Sequence, residues 1–250
     1  MRIYHTSDLH DRRHLAAPIA ALRAAKPGLY ADCGDSLRGS QTVFYRREPI
    51  IAELDRAGVD VQAMGNREFH YLFPAVCARV AQMHHPLVCA NLVDTRGRAL
   101  PFQPDLTLER DDADGTPWTL RFFGLLVMQY PPGSRWEQLF GWRFLDPIET
   151  AERIAAQTPA GTTLVALSHL GLRHDRVLAQ RVPRLELILG GHSHDTLFEP
   201  ELVDGVPIVH AGPYGAYASR TELVKDAAGR ARISGFALEP LRGAQGAAVA

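Results

Sequence analysis

The run Leu185-Glu186-Leu187-Ile188-Leu189-Gly190-Gly191-His192-Ser193-His194 constrains this chain more than any other stretch. An apolar segment of that length closed by two glycines spells a buried strand that ends in a sharp turn. Just past the turn stand His192 and His194, one residue apart. In extended backbone, positions i and i+2 project to the same side, so both imidazoles are expected to converge on one point. Neutral imidazole is the commonest side-chain metal ligand, and glycine lets backbone and ligand approach closely. For an isolated H-x-H, a pair of hydrogen-bonded loop histidines is an equal alternative, and the rest of the chain has to decide.

Other ligand-type residues recur at strand ends. Arg2 to Thr6 reads as a first strand, followed by Asp8 and His10, again spaced i and i+2. A hard carboxylate beside an imidazole suits a borderline divalent ion, although Asp8 is also placed to cap the helix expected over 14–26. Gly28 to Ser36 is a second strand that ends in Gly34-Asp35, where a turn-forming Asp is the plainer reading. An interrupted helix is expected over 42–57, broken at Pro49. Val59 to Met64 leads to Gly65-Asn66, and Thr162 to Leu167 leads to Ser168-His169. Between them, 102–109 and 118–128 form an expected antiparallel hairpin around the acidic turn 111–115, which lacks the spacing of a calcium loop. Residues 129–142 appear irregular, either a lid or substrate wall or a packed surface loop.

Strand–helix alternation on this scale implies an α/β sandwich with right-handed crossovers. In such sheets, strand ends on one side gather into a common crevice. Asp8, His10, Asp35, Asn66, His169, His192 and His194 exceed the roughly three or four protein ligands of a single ion, and suit two ions that share a carboxylate.

At 250 residues the chain is expected to fold as one domain over 1–242, with a small-residue tail, 243–250, expected to be disordered. Lys plus Arg (27) balance Asp plus Glu (28), so no basic stripe points to nucleic acid or a membrane surface. Three unpatterned cysteines fit reduced thiols, and the chain opens directly in a strand with no leader expected. No apolar run approaches the ~20 residues of a membrane span. The expected setting is cytoplasmic and the expected partner a small phosphorylated substrate.

The motifs D-x-H, G-D, G-N-x-E, S-H and G-H-x-H, in this order, resemble those of the calcineurin-like metallophosphoesterases. Ser168-His169-Leu170-Gly171 and Gly190-Gly191-His192-Ser193-His194, with Ala211-Gly212 some way on, look most like the N-terminal metal domain of the 5′-nucleotidase branch. The resemblance implies a single-domain four-layer α/β/β/α sandwich and two divalent metal ions drawn from Mn, Fe, Zn, Co or Ni. It implies that Asp8, His10 and His194 hold one ion, that Asn66, His169 and His192 hold the other, and that Asp35 bridges them.

Two departures stand out. The branch pattern G-N-H-E-F-D is here Gly65-Asn66-Arg67-Glu68-Phe69-His70, so Arg67 replaces the transition-state His and His70 replaces the Asp that orients it. Arg67 can neutralise phosphoryl charge but cannot release a proton near neutral pH. It could instead pair with Glu68 or a surface carboxylate, and His70 could serve as acid or as a structural residue. No counterpart of the C-terminal domain that closes over the nucleoside in 5′-nucleotidases is expected within these 250 residues, so nucleotide specificity is not expected to carry over. The expected function is a dinuclear metal-dependent phosphoester hydrolase favouring good leaving groups, with Arg67 and His70 as catalytic candidates. The competing expectation is a metal-binding but inert scaffold that recognises a phosphorylated ligand or partner.

Overall fold

Strand β1 (Arg2–Thr6) is buried on both faces: Ile3 packs into the layer between two sheets, and Tyr4 packs outward beneath helices. The computed structural model describes residues 1–241. The domain boundary expected at 242 and the tail 243–250 fall outside the described residues.

From β1 the chain runs through α1 (Ala16–Ala25), β2 (Leu29–Asp32), α2 (Pro49–Ala57), β3 (Val61–Ala63), α3 (Phe73–Val80) and β4 (Leu87–Val88). Strands β1 to β4 pair in parallel, each with the next. Next come β5 (Leu92–Asp94), then β6 (Asp105–Asp111) and β7 (Pro117–Leu126), which form the expected antiparallel hairpin. After α4 (Arg135–Phe140), β8 (Trp142–Phe144) and α5 (Pro147–Gln157), alternation resumes with β9 (Thr163–His169), α6 (Leu172–Arg181) and β10 (Leu187–Gly190). The chain ends through β11 (Glu201–Val203), β12 (Val206–His210), β13 (Tyr217–Lys225) and β14 (Ala231–Pro240).

Two six-stranded sheets result, ordered β14-β13-β1-β2-β3-β4 and β11-β12-β10-β9-β7-β6. They face one another across a core that includes Ile3, Ala31, Val61, Phe122, Val165, Leu187, Leu189 and Val209. Tyr4, Ile19, Tyr30, Ile50 and Leu54 pack α1 and α2 on the outer side of the first sheet. Ala151, Ile154, Leu178, Ala166 and Ile188 do the same for α5 and α6 on the second. The architecture is the four-layer α/β/β/α sandwich. Burial on both faces explains why β10 is a continuous apolar run, as expected of a central parallel strand. Each fully buried Leu, Ile or Phe contributes about 1.5–3 kcal/mol of hydrophobic stabilisation.

Two local expectations are corrected. Pro49 does not interrupt a helix over 42–57; it opens α2, and 42–48 is loop. A proline at the first helical position gives up an N–H that has no intrahelical partner there, so it starts a helix more readily than it sits inside one. Residues 129–142 are not wholly irregular either. They contain α4, which Ser134 caps by accepting the Glu137 amide, and they lead into β8, which pairs antiparallel with β5. No described helix is long and apolar enough to cross a membrane.

Candidate metal centre

Parallel pairing brings the ends of β1, β2, β3, β9 and β10 to one side, where the candidate residues follow. Asp8 and His10 lie just after β1, Asp35 after β2, Asn66 after β3, His169 at the last position of β9, and His192 and His194 after β10. The expected strand alternation is not what aims them. Asp8, His10, Asp35, His192 and His194 all have positive φ, between 49° and 76°. For residues with a Cβ this left-handed backbone is uncommon, and such outliers cluster at functional sites. Tight loops immediately past the strand ends turn these side chains inward.

Glycine makes those loops possible at one close crossing. A Cβ on Gly34 would lie 2.5 Å from the Gly65 nitrogen, and one on Gly65 would lie 2.3 Å from the Asp35 nitrogen. The Gly34-Asp35 and Gly65-Asn66 turns therefore touch backbone to backbone.

The structure brings five of the seven residues together in two overlapping groups, and His192 and Asn66 lie beside the second. Donor atoms of Asp8, His10 and His194 lie within 4.8 Å of one another, and so do those of Asp8, Asp35 and His169. His10 Nε2 stands 3.0 Å from His194 Nε2, and His194 Nε2 stands 3.6 Å from Asp8 Oδ1. On the other side, His169 Nε2 faces Asp35 Oδ1 at 3.3 Å and the His169 and His192 rings are 5.0 Å apart. Asn66 Nδ2 is 3.4 Å from His192 Nδ1. Asp8 thus sits between the groups, nearer to Asp35 and His169 than the sequence motif alone indicates.

A buried nitrogen tests whether this set fits divalent cations. Among the described residues, Nε2 of His169 is buried without a hydrogen-bond partner and faces the Asp35 carboxylate at 3.3 Å. His169 Nδ1 is 2.7 Å from the Cys33 carbonyl oxygen, which requires its proton on Nδ1 and leaves Nε2 facing the Asp35 carboxylate. Burial, and next the Arg67 charge, bring the His10 pKa down to about 4; burial and His169 do the same for His192. Both rings are thus neutral near pH 7, the form that ligates. Burial most strongly opposes charge on His169, yet the Asp35 carboxylate and then Asp8 outweigh it and raise its pKa to about 10. Two buried carboxylates here call for positive charge. Ligand atoms about 2.0–2.1 Å from one ion lie about 3.0–3.4 Å apart, and the His10–His194 spacing falls in that range. The residues fit.

Arg67 and His70 are placed differently from each other. Arg67 donates its backbone N–H to Asp35 Oδ1 at 2.8 Å. Its guanidinium donates to the carbonyls of Leu37, Arg38 and Gly39, at 3.2 to 3.5 Å, rather than to Glu68 or a surface carboxylate. His70 is buried; its Nδ1 accepts the Leu72 amide at 2.9 Å and its ring meets Phe44 edge-on.

Several supporting residues escaped the sequence reading. Glu68 belongs to a quoted motif, yet its role became visible only in the fold: its buried carboxylate accepts the amides of Asp35, Ser36, Leu37 and Gly65. Gln129, from the stretch read as irregular, donates Nε2–H to Asn66 Oδ1 at 2.9 Å. Tyr214 lies over His10 and His194. Behind the site, a buried His210–Asp175 pair (2.7 Å), with Ser168 donating to Asp175, fills the space where Gly190 has no side chain. No spacing signal links these residues to the motifs.

No family model matches this chain. It is 28% identical over 247 residues to an uncharacterized metallophosphoesterase, YunD, of Bacillus subtilis, covering 92% of this chain and 51% of that protein. It is 25% identical to a 2′,3′-cyclic-nucleotide 2′-phosphodiesterase/3′-nucleotidase of Salmonella typhimurium, covering 90% of this chain and 43% of that one. The chain therefore spans about half the length of the relatives it matches. Among solved structures, the calcineurin-like phosphoesterase YfkN of Bacillus subtilis superposes with a TM-score of 0.76 at 19% identity, over 96% of this chain and 90% of that one.

Proposed function

We propose that this chain, which resembles the calcineurin-like metallophosphoesterases in motifs, relatives and fold, is a dinuclear metal-dependent phosphoester hydrolase. The observation that carries the reading is the buried meeting of Asp8, Asp35 and His169, with His10 and His194 beside it. In this reading Asp8, His10 and His194 hold one divalent ion, Asn66, His169 and His192 hold the second, and Asp35 is shared. Carboxylate oxygens combined with imidazoles suit Mn, Fe, Zn, Co or Ni. Bound there, the ions supply an acidified water as nucleophile and positive charge beside the phosphoryl oxygens.

The chain's own residues do the rest. His169 is oriented by the Cys33 carbonyl, and Asp35 is held by the Arg67 amide. Arg67 brings a permanent positive charge to the rim by His10, suited to the charge that builds on phosphoryl oxygens as the bond to the leaving group breaks. His70 keeps its Nδ1 on the Leu72 amide, so proton delivery to the leaving oxygen has little help from the chain. Substrates with good leaving groups, such as aryl diesters or phosphoanhydrides, are therefore favoured. Nucleotide-type esters enter the proposal through the relatives named for them. Those relatives are named as hydrolases and lend no support to an inert scaffold. A cytoplasmic setting is part of the same reading and is consistent with three free cysteines.

The test compares an aryl phosphodiester with an alkyl monoester, using protein loaded with Mn²⁺ and metal content measured in parallel. The diester should be turned over faster. Faster turnover of the alkyl ester defeats the leaving-group argument, and no turnover of any phosphoester at full metal content defeats the hydrolase reading.

A further inference from the structure

Three neighbouring strands of the second sheet reach the metal centre in register. Ser168 of β9 pairs with Gly190 of β10, and Gly190 pairs with His210 of β12. Ala166, Ile188 and Ile208, two residues earlier on each strand, belong to the core beneath α5 and α6. By alternation Ser168, Gly190 and His210 face the same helices. The middle position has no side chain: a Cβ on Gly190 would lie 2.1 Å from His210 Nε2 and 2.5 Å from Asp175 Oδ2. Into that space α6 delivers Asp175, which is fully buried, as is Ser168. One carboxylate oxygen accepts the Ser168 hydroxyl, and the other meets His210 Nε2 at 2.7 Å. The carboxylate therefore spans β10 and joins the strands on either side of it.

We infer that Asp175 is a positioning residue for the metal centre: through Ser168 and His210 it clamps the ends of β9 and β10, and so sets the separation of His169 and His192. The inference rests on the dinuclear reading above. His169 follows Ser168 directly and His192 lies two residues past Gly190, so little chain separates either ligand from the clamp. The Gly191 amide donates to the Ser168 carbonyl at 2.9 Å, which carries the register one step further toward His192. A second link comes from Ser193, whose hydroxyl accepts the amide of Leu172, the first residue of α6, at 3.0 Å. Helix α6 thus grips both the strand that carries His169 and the loop that carries His192 and His194. Apolar residues of similar volume often match a buried charged pair in stability. What they cannot supply is directed contact to the residue before one ligand and across the strand that leads to another.

Calorimetric titration of the folded, metal-free protein with Mn²⁺ tests this without reference to turnover. Of the two binding steps, the one that Asn66→Ala weakens more reports the ion of Asn66, His169 and His192. Asp175→Ala should weaken that same step by about ten- to a hundredfold. The other step should weaken by no more than about threefold, because Asp8 and His10 follow β1 in the opposite sheet. Asp175→Asn keeps an oxygen for His210 and turns an amino group toward Ser168 Oγ, so it should retain wild-type affinity at both steps. Should Asp175→Ala fail to fold, Ser168→Ala, which cuts only the β9 arm of the clamp, should weaken the same step by about tenfold. Equal weakening of both steps means a general loosening of the fold and overturns the proposal. Unchanged affinity in the alanine variants overturns it too. So does an Asp175→Asn variant as weak as Asp175→Ala, since charge rather than geometry is then at work. Failure of the unsubstituted protein to bind two Mn²⁺ is a separate result, which removes the dinuclear reading and the positioning role with it.

Discussion

Glu68 Oε2 accepts the backbone amide of Asp35 at 2.8 Å, so the carboxylate of one motif fixes the turn that presents the carboxylate of another. The same oxygen takes the Gly65 amide, and Oε1 takes those of Ser36 and Leu37. Four buried donors thus depend on one side chain. Glu68→Gln replaces one oxygen with an amino group, leaving two of those donors facing another donor. Each buried donor left unsatisfied costs about 1–3 kcal/mol. The variant should lose about 3 kcal/mol of stability, read as a lower urea midpoint at unchanged m-value. It should also bind Mn²⁺ more weakly, because Asp35 loses its fixed position. An unchanged midpoint would mean that this carboxylate does not hold the turn.

A pH prediction comes from His5, which is fully buried in β1 with Nδ1 3.1 Å from Ser219 Oγ. Burial, and next His210, lower its pKa from 6.5 to about 3. The folded state therefore keeps His5 neutral, while the unfolded chain protonates it below pH 6.5. The stability contributed by the neutral ring is fully present above 6.5 and is lost as pH falls toward about 3. At 1.36 kcal/mol per unit, the drop over that window is about 5 kcal/mol. The stability difference between wild type and His5→Gln, measured by urea unfolding in chelator, should shrink by about 1.4 kcal/mol per unit below pH 6.5 and stay flat above it. A difference that does not change with pH would show that His5 titrates normally in the fold.

Arg67 and His70 mark the chain's departure from the motif it resembles, and their different contacts lead us to expect that reversing one of them alone is insufficient. Arg67 anchors the carbonyls of Leu37, Arg38 and Gly39, while buried Arg79 anchors those of Ser40 and Val43. Arg67→His gives up the first of these anchors and gains an imidazole with no carboxylate to orient it, because His70 faces Leu72 and Phe44. The single variant should gain little alkyl monoester activity. The double variant Arg67→His/His70→Asp restores an oriented acid and should raise kcat for an alkyl phosphate by about 10². Equal activity of the single and double variants would show that position 70 has no bearing on the proton donor.

Much of this was legible in the chain because donor residues and glycines sit together at strand ends, where side-chain type and turn type are set locally. Asp8, His10, Asp35, His169 and His194, which the structure groups, and the buried run of β10 are of that kind. The manner of convergence was not legible. Alternation along a strand suggested that His192 and His194 share a side, whereas left-handed backbone at each of them does the aiming. Nor was the β5–β8 pair, which joins two three-residue strands some fifty positions apart with no periodicity to announce it. Gln129 and Tyr214 reach the site from loops whose course is fixed by packing far from the motifs, among it the stack of Tyr71 on Phe140 and Tyr130.

Removing metal should cost stability as well as activity. Asp8 and Asp35 are buried at 0% and 7% exposure, close enough to share a cluster with His169, and His10 and His194 meet nitrogen to nitrogen. Without cations, the two carboxylates rely on protonated His169 for compensation, and the paired imidazoles meet nitrogen to nitrogen beside Asp8. A ligand that binds only the folded state stabilises it by about 2.7 kcal/mol at a hundred times its Kd. For a domain of this size that corresponds to about 5–10 °C in Tm. Chelator should therefore lower Tm by about that amount, and added Mn²⁺ should restore it in step with activity. Asp35→Asn should lose most of the metal-dependent increment, since Asp35 belongs to the buried group and is the residue proposed to serve both ions. A melting temperature indifferent to chelator and Mn²⁺, in protein shown to be folded and metal-free at the start, would mean that the cluster holds no ion.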